Sequence, residues 1–149
     1  NACLIGNDRD GWTYYSKNIN PLTNIPTEFQ SLDEFLNSEN GKSYHTGYRV
    51  KTTPEEDKKM RDKGADVLGS AYAVKEQEGA ECGNCGDAVA DIGREGGINI
   101  GKPKNKEWKI KNFTHPNQQY EDLINNNEGE FFENQYHDKT ADMNEIIGL

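Results

Sequence analysis

Hydrophobic positions in this chain fall in short runs separated by long polar stretches. Ala2-Cys3-Leu4-Ile5-Gly6 and Trp12-Thr13-Tyr14-Tyr15-Ser16 flank a loop that ends in Asp10-Gly11, the pattern of a β-hairpin with a longer connection. Residues 18–30, punctuated by Asn18, Asn20, Pro21, Asn24 and Pro26, read as loop. Ser31 ahead of Leu32-Asp33-Glu34-Phe35-Leu36 supplies an N-cap, first-turn acids and an apolar pair; it predicts a short helix that Asn40-Gly41 ends. Tyr44 to Lys51 alternates apolar and polar residues and predicts a third strand.

Thr53-Pro54-Glu55-Glu56 is a strong helix start, with Thr as N-cap, Pro at the first helical position and acids behind it. This helix runs to about Leu68, with Met60, Ala65 and Leu68 available for burial; residues 69–81 read as loop. From Cys85 to Glu95 the stripe Ala88, Val89, Ile92 predicts a second long helix, stopped by Gly96-Gly97, and Ile98 to Gly101 reads as a short strand. Thr114-His115-Pro116-Asn117 opens another helix with Tyr120, Leu123 and Ile124 on its apolar face, closed at Asn125-Asn126-Asn127. The fold class that follows is α+β, an antiparallel β-meander packed against two or three helices. Residues 1–129 form the domain, and the acidic tail 130–149, with Phe131, Phe132 and Tyr136, is docked or partly disordered.

Composition narrows the function classes. Leu, Ile, Val and Phe make up 26 of the 149 residues, so the expected core is small and the loops long. A net charge of −9 repels phosphate backbones, and the run Lys102, Lys104, Lys106, Lys109, Lys111 is too local to reverse that; nucleic acid is excluded as the first choice of partner. No apolar run is long enough to span a membrane and no secretory signal pattern is present. Three cysteines do not make a disulfide framework. A start at Asn1-Ala2 without Met reads as a fragment or a processed product, with the domain incomplete at its N-terminus.

Candidate chemistry concentrates in Glu81-Cys82-Gly83-Asn84-Cys85-Gly86-Asp87. Cys85 falls where loop turns into helix, and the positive end of a helix dipole with its unpaired N–H groups favours a thiolate over a thiol. The backbone N–H groups around Asn84, Cys85 and Gly86 could hold the oxyanion of a tetrahedral intermediate, and Gly83 and Gly86 leave room for a substrate beside the sulfur. The plainer reading is that Cys85 is a small buried apolar residue. Cys82-Gly-Asn-Cys85 also has redox and zinc spacing. A thioredoxin-like site needs a preceding strand that the pattern lacks, and zinc needs two more ligands where His45, His115 and His137 stand alone. No cofactor or metal is called for. Asn7-Asp8-Arg9-Asp10-Gly11 lacks the later bidentate Glu of a calcium loop. Cys3 reads as core; so do Trp12, Tyr14 and Tyr15. Glu55, Glu56, Asp57, Lys58 and Lys59 read as a solvated helix face.

Several of these blocks, in order, are similar to a known group. Gly6-Asn7-Asp8-Arg9-Asp10-Gly11-Trp12-Thr13-Tyr14-Tyr15-Ser16-Lys17 resembles the opening block of domains at the C-termini of bacterial Rhs-repeat proteins. Gly47-Tyr48-Arg49-Val50-Lys51-Thr52, Asn84-Cys85-Gly86-Asp87, Gly97-Ile98-Asn99-Ile100-Gly101, Pro116-Asn117-Gln118-Gln119-Tyr120 and Asn126-Asn127-Glu128-Gly129 follow in order, so the resemblance covers residues 3–129. An Asn-Cys pair before a helix, downstream of a hairpin, also looks like the circularly permuted papain-like group of NlpC-type amidases and lecithin:retinol acyltransferase relatives. The resemblance implies a polymorphic-toxin effector using a Cys–His pair. Such an effector is secreted or delivered into a rival cell as cargo, acts on a protein, peptide or acyl substrate, and is held in check by a cognate immunity protein.

That group places its base as a His just before the block matching Ala2-Cys3-Leu4-Ile5-Gly6, a position that here is either Asn1 or upstream of it; the base is then lost, supplied from upstream, or replaced by another His. Within the chain, His45 is the best candidate for base or orienting residue: at the start of the third strand of a meander it shares an edge with Asn1 and Ser16. The competing reading is an exposed strand-end His. His115 reads as helping to cap its helix, and His137 has no role. Two functions follow: a cysteine hydrolase, amidase or acyltransferase with Cys85 as nucleophile, or a non-catalytic interaction module of the same fold. A C-x-x-C redox domain is the third.

Overall fold

The computed structural model describes residues 1–18, 20, 22, 24–69, 71–72, 82–83, 85–100 and 116–138, with side chains described at all of these except 71–72, 82–83 and 116–117. Within them the fold is mixed α+β, with small antiparallel sheets and several helices. β1 (Cys3–Asn7) and β2 (Gly11–Tyr15) form the expected hairpin, Cys3 opposite Tyr15 and Asn7 opposite Gly11. Its turn is tied to the following helix through Asp8, whose Oδ1 accepts from the Leu32 amide (2.9 Å) and the Trp12 indole (2.7 Å). Those two donors, Leu32 first, hold the Asp8 carboxyl below its ordinary range.

Two strand assignments differ from the pattern-based expectation. β3 (Thr27–Phe29) lies within the stretch expected to be loop and pairs antiparallel with β2, Trp12 opposite Phe29. The place beside β2 is therefore occupied, and β4 (Thr46–Arg49), the expected third strand of the meander, belongs to a separate sheet with β7 (Glu130–Glu133). The first part of the acidic tail is thus docked. Asn134 extends this pairing: its amide donates to the His45 carbonyl (2.7 Å), and its buried carboxamide donates to the carbonyls of Gly41 (2.9 Å) and Tyr44 (3.0 Å). A third, two-residue pairing joins β5 (Ala71–Tyr72) in parallel to β6 (Cys82–Gly83), so a short strand does precede Cys85.

The helices start where their caps predict. α1 (Leu32–Asn37) is capped by Ser31, whose Oγ accepts from the Glu34 amide, and it buries Phe35 against Tyr14, Phe29 and Tyr44 at ring-centroid distances of 4.9, 5.2 and 6.3 Å. α2 (Pro54–Gly69) carries a reciprocal capping box: the Glu56 amide donates to Thr53 Oγ1 (3.2 Å) and the Thr53 amide to Glu56 Oε1 (2.8 Å). α3 (Cys85–Glu95) ends in a Schellman arrangement, with the amides of Ile98 and Gly97 donating to the carbonyls of Gly93 and Arg94, and Gly97 at φ +76°. α4 is Pro116–Asn126. Ile98 to Ile100 is not a strand: the Asn127 carboxamide bonds both the amide (2.8 Å) and the carbonyl (2.7 Å) of Asn99, taking the groups a ladder would use.

The core forms where α2 and α3 pack on the hairpin, joining Ile5, Tyr15, Met60, Val67, Leu68, Ala88 and Ile92, with Cys3 and Ile98 at its border. Trp12, Tyr14 and Tyr15 are buried, as the pattern predicts. Gly64, in the middle of α2, lets the Tyr15 ring lie against the helix; a Cβ there would overlap the ring. Tyr15 is only 4 % exposed and cannot swing away. Gly64→Ala is therefore expected to destabilise the fold by about 1–3 kcal/mol through overpacking, despite the roughly 1 kcal/mol that Ala gains in helix propensity. Gly69→Ala, at the helix end with open space around it, serves as the control in urea titration and changes stability little.

Candidate functional site

Cys85 is the first residue of α3, half-buried and a free thiol, at the boundary where the sequence places it. A helix leaves its first amides without intrahelical acceptors, so the Cys85 and Gly86 N–H groups stand at the same end as the sulfur. The hairpin brings residue 1 to this point. The backbone nitrogen of Asn1 donates to Cys85 Sγ at 3.4 Å, and the Asn1 carboxamide donates to Gln119 Oε1 at 3.0 Å. Gln119, 1 % exposed on α4, turns its other end to the first turn of α3, where its Nε2 donates to the Gly86 carbonyl at 2.8 Å. One buried amide side chain thus joins the start of the first strand to the turn that carries the thiol.

Sequence reasoning missed Gln119. The available signal was a polar residue four positions before Leu123, in register with the apolar face of α4. It also missed Tyr44, whose hydroxyl bonds that of Tyr14 (2.9 Å). Burial, then the Tyr14 hydroxyl, push the Tyr44 phenol upward, and the Cys85 sulfur adds a little to this while Ser16 opposes it.

His45 lies just before β4, exposed, with its ring stacked on that of His137 (centroids 3.9 Å apart, planes at 25°). The meander argument for its position does not hold, because β4 sits in the other sheet. Nevertheless His45 and Asn1 border the same cavity, of about 1290 Å³, which runs between the hairpin and β4 over Met60 and Ile92. Asn84 and His115 lie outside the described residues, as do the lysine run 102–111 and residues 139–149; so does the Cys82 side chain. Among the described residues no group of His, Cys, Asp and Glu could hold a metal ion, and no helix is long and apolar enough to cross a membrane.

No protein-family model, curated protein or solved structure matches this chain.

Two expectations follow from the site. Replacing Gln119 by Leu keeps its bulk but leaves the buried side of the Gly86 carbonyl without its donor, at a cost of about 1–3 kcal/mol in urea unfolding. Cys3 offers a pH test. Burial pushes its thiol from 9.0 up to about 12, the residue-1 nitrogen opposing the shift. A folded-state value above the unfolded one means that the stabilisation is complete below pH 9.0 and lost as pH climbs towards about 12. Unfolding free energy should fall across that window, less steeply in Cys3→Ala, and mass mapping at neutral pH should find thiol reagents on Cys85 and not on Cys3.

Proposed function

We propose that this chain is a cysteine hydrolase or acyltransferase of permuted papain-like fold, an effector domain of the Rhs-borne toxin type. The observation that carries this reading is the placement of residue 1 against Cys85 Sγ at the start of α3. The resemblance assigns the base to residue 1 or to a position just upstream of it, and residue 1 is what meets the thiol. Cys85 would attack an amide, ester or thioester carbonyl, forming the C–S bond of an acyl-enzyme while the leaving group departs with a proton. Water would then break that bond, or a second nucleophile would take the acyl group. The Cys85 and Gly86 N–H groups would hold the oxyanion. As cargo of a larger secreted or delivered protein, the domain would meet a cognate immunity protein, and a charge of −9 suits a basic one.

Asn1 also favours a second reading, a binding module of the same architecture, because a carboxamide neither accepts the thiol proton nor returns it to a leaving group. Leaving-group chemistry separates the two. An activated phenyl ester or thioester leaves without a proton donor, so it should acylate Cys85 in a stoichiometric burst that Cys85→Ala abolishes. An amide needs the donor and should not turn over. Asn1→His should restore a donor at the thiol and raise ester turnover by about 10²–10⁴. Absence of the burst in the parent chain, together with no gain in Asn1→His, would leave the binding module as the function.

A further inference from the structure

Sharing Ser43 and Tyr44 with the large cavity is a second, smaller pocket of about 380 Å³, which also borders Tyr14, Ser16, Asn18, Glu39 and Asn40. Its character is opposite to that of its neighbour. The large cavity has Leu4, Met60, Val89 and Ile92 in its walls, whereas this one presents hydroxyls and carboxamides.

The floor of the pocket has a hydrogen left over. Tyr14 and Tyr44 bring two hydroxyl hydrogens to a pair bonded at 2.9 Å. One bond links the two hydroxyls, so one O–H remains to donate outward, and the oxygens keep lone pairs to accept with. At the rim, Asn18 and Asn40 use only their backbone groups within the protein: Asn18 with Asn24, and Asn40 with Ser43 Oγ. Their carboxamides, and the Glu39 carboxylate, are exposed towards solvent.

We infer that this pocket is a subsite for a neutral, hydroxyl-rich ring, a single sugar unit, adjoining through Ser43 and Tyr44 the large cavity that Asn1 borders. Hydroxyls and carboxamides both donate and accept, as a sugar's hydroxyls do. A carboxylate accepts two adjacent hydroxyls at once and repels an anion, so Glu39 fits a polyol and not a phosphate or an acid. Donor-rich neutral walls with one carboxylate do not suit a metal cation, which requires several oxygen ligands. Ile25, also in the wall, offers an aliphatic surface for the C–H face of a ring. Ser43 and Tyr44 border both this pocket and the large cavity, and Asn1, which bonds Cys85 Sγ, borders the large one, so a ligand that fills both would carry its sugar at this end and an apolar portion at the other. As a subsite this rests on the hydrolase reading; as a binding site it does not.

The test is run on full-length Cys85→Ala chain, isotopically labelled, with methyl α-D-glucopyranoside and N-acetylglucosamine as probes and propionamide as the comparison. Saturable amide shifts at Ser16, Asn18 and Asn40 are expected at millimolar sugar, as befits one small ring. Asn40→Ala, an exposed substitution that leaves the core intact, should weaken binding about 3–10-fold, and Tyr14→Phe by a similar factor. Shifts that do not saturate, equal affinity in both variants, or propionamide binding as tightly as the sugars would each overturn the assignment. In the parent chain, saturating sugar should slow iodoacetamide labelling of Cys85; unchanged labelling removes the subsite role. Because the nucleophile is absent from the binding measurement, failure of the ester burst and failure of sugar binding are separate results.

Discussion

The arrangement turns on the buried side-chain amide of Gln119. Its two ends bond groups that belong to distant parts of the chain, the Asn1 carboxamide and the Gly86 carbonyl, and its own backbone belongs to α4. An amide with 1 % exposure must satisfy both donor and acceptor inside the protein or lose more than a hydrogen bond is worth. Satisfying both fixes three elements at once: the entry of β1, the first turn of α3 and the register of α4 against them. The 3.4 Å approach of residue 1 to Cys85 Sγ follows from that geometry.

The apolar core has a different task. Met60, Val67, Leu68, Ala88 and Ile92 fuse α2 to α3, and Ile5 and Tyr15 join them to the hairpin. In a chain this poor in aliphatic residues, the packed part of the fold is concentrated there. The helix that carries the thiol is therefore anchored along its length by apolar contact and at its N-terminal turn by one polar clamp. Dispersion forces hold the scaffold, and a directional bond positions the chemistry.

Local structure was legible in the sequence wherever a side chain bonds its own backbone a few residues away. Ser31, the Thr53–Glu56 pair and the Gly96-Gly97 stop each specify a helix end through contacts within one turn, so α1, α2 and α3 were readable to within a residue or two. Long-range pairing was not. β3 is three residues beyond an Asn- and Pro-rich stretch, and β7 sets Phe131 and Phe132 between two glutamates; neither alternates long enough to announce itself. Their partners lie at sequence distances that no local pattern encodes. The assignment of β4 to the hairpin sheet failed for the same reason. The candidate site shows this division in miniature. Cys85 was visible from glycines and a helix start, whereas Gln119 and Tyr44 matter through what the tertiary fold brings to them.

Tyr44 shows how a residue that seemed only part of a strand comes to define a boundary. It stands before β4, outside the ladder, so its ring is free to cross towards the hairpin, where Phe35 packs against it and the Tyr14 hydroxyl receives it. Had β4 joined the hairpin sheet, backbone pairing would have closed the space between them. Because β3 takes that place, β4 stands off in a sheet with β7, and both cavities open along the separation. One ring then borders both, with its phenol held neutral by burial and by the Tyr14 hydroxyl. The sheet topology that defeated the sequence reading is thus the feature that opens the cavity bordered by Asn1, the residue that meets the thiol.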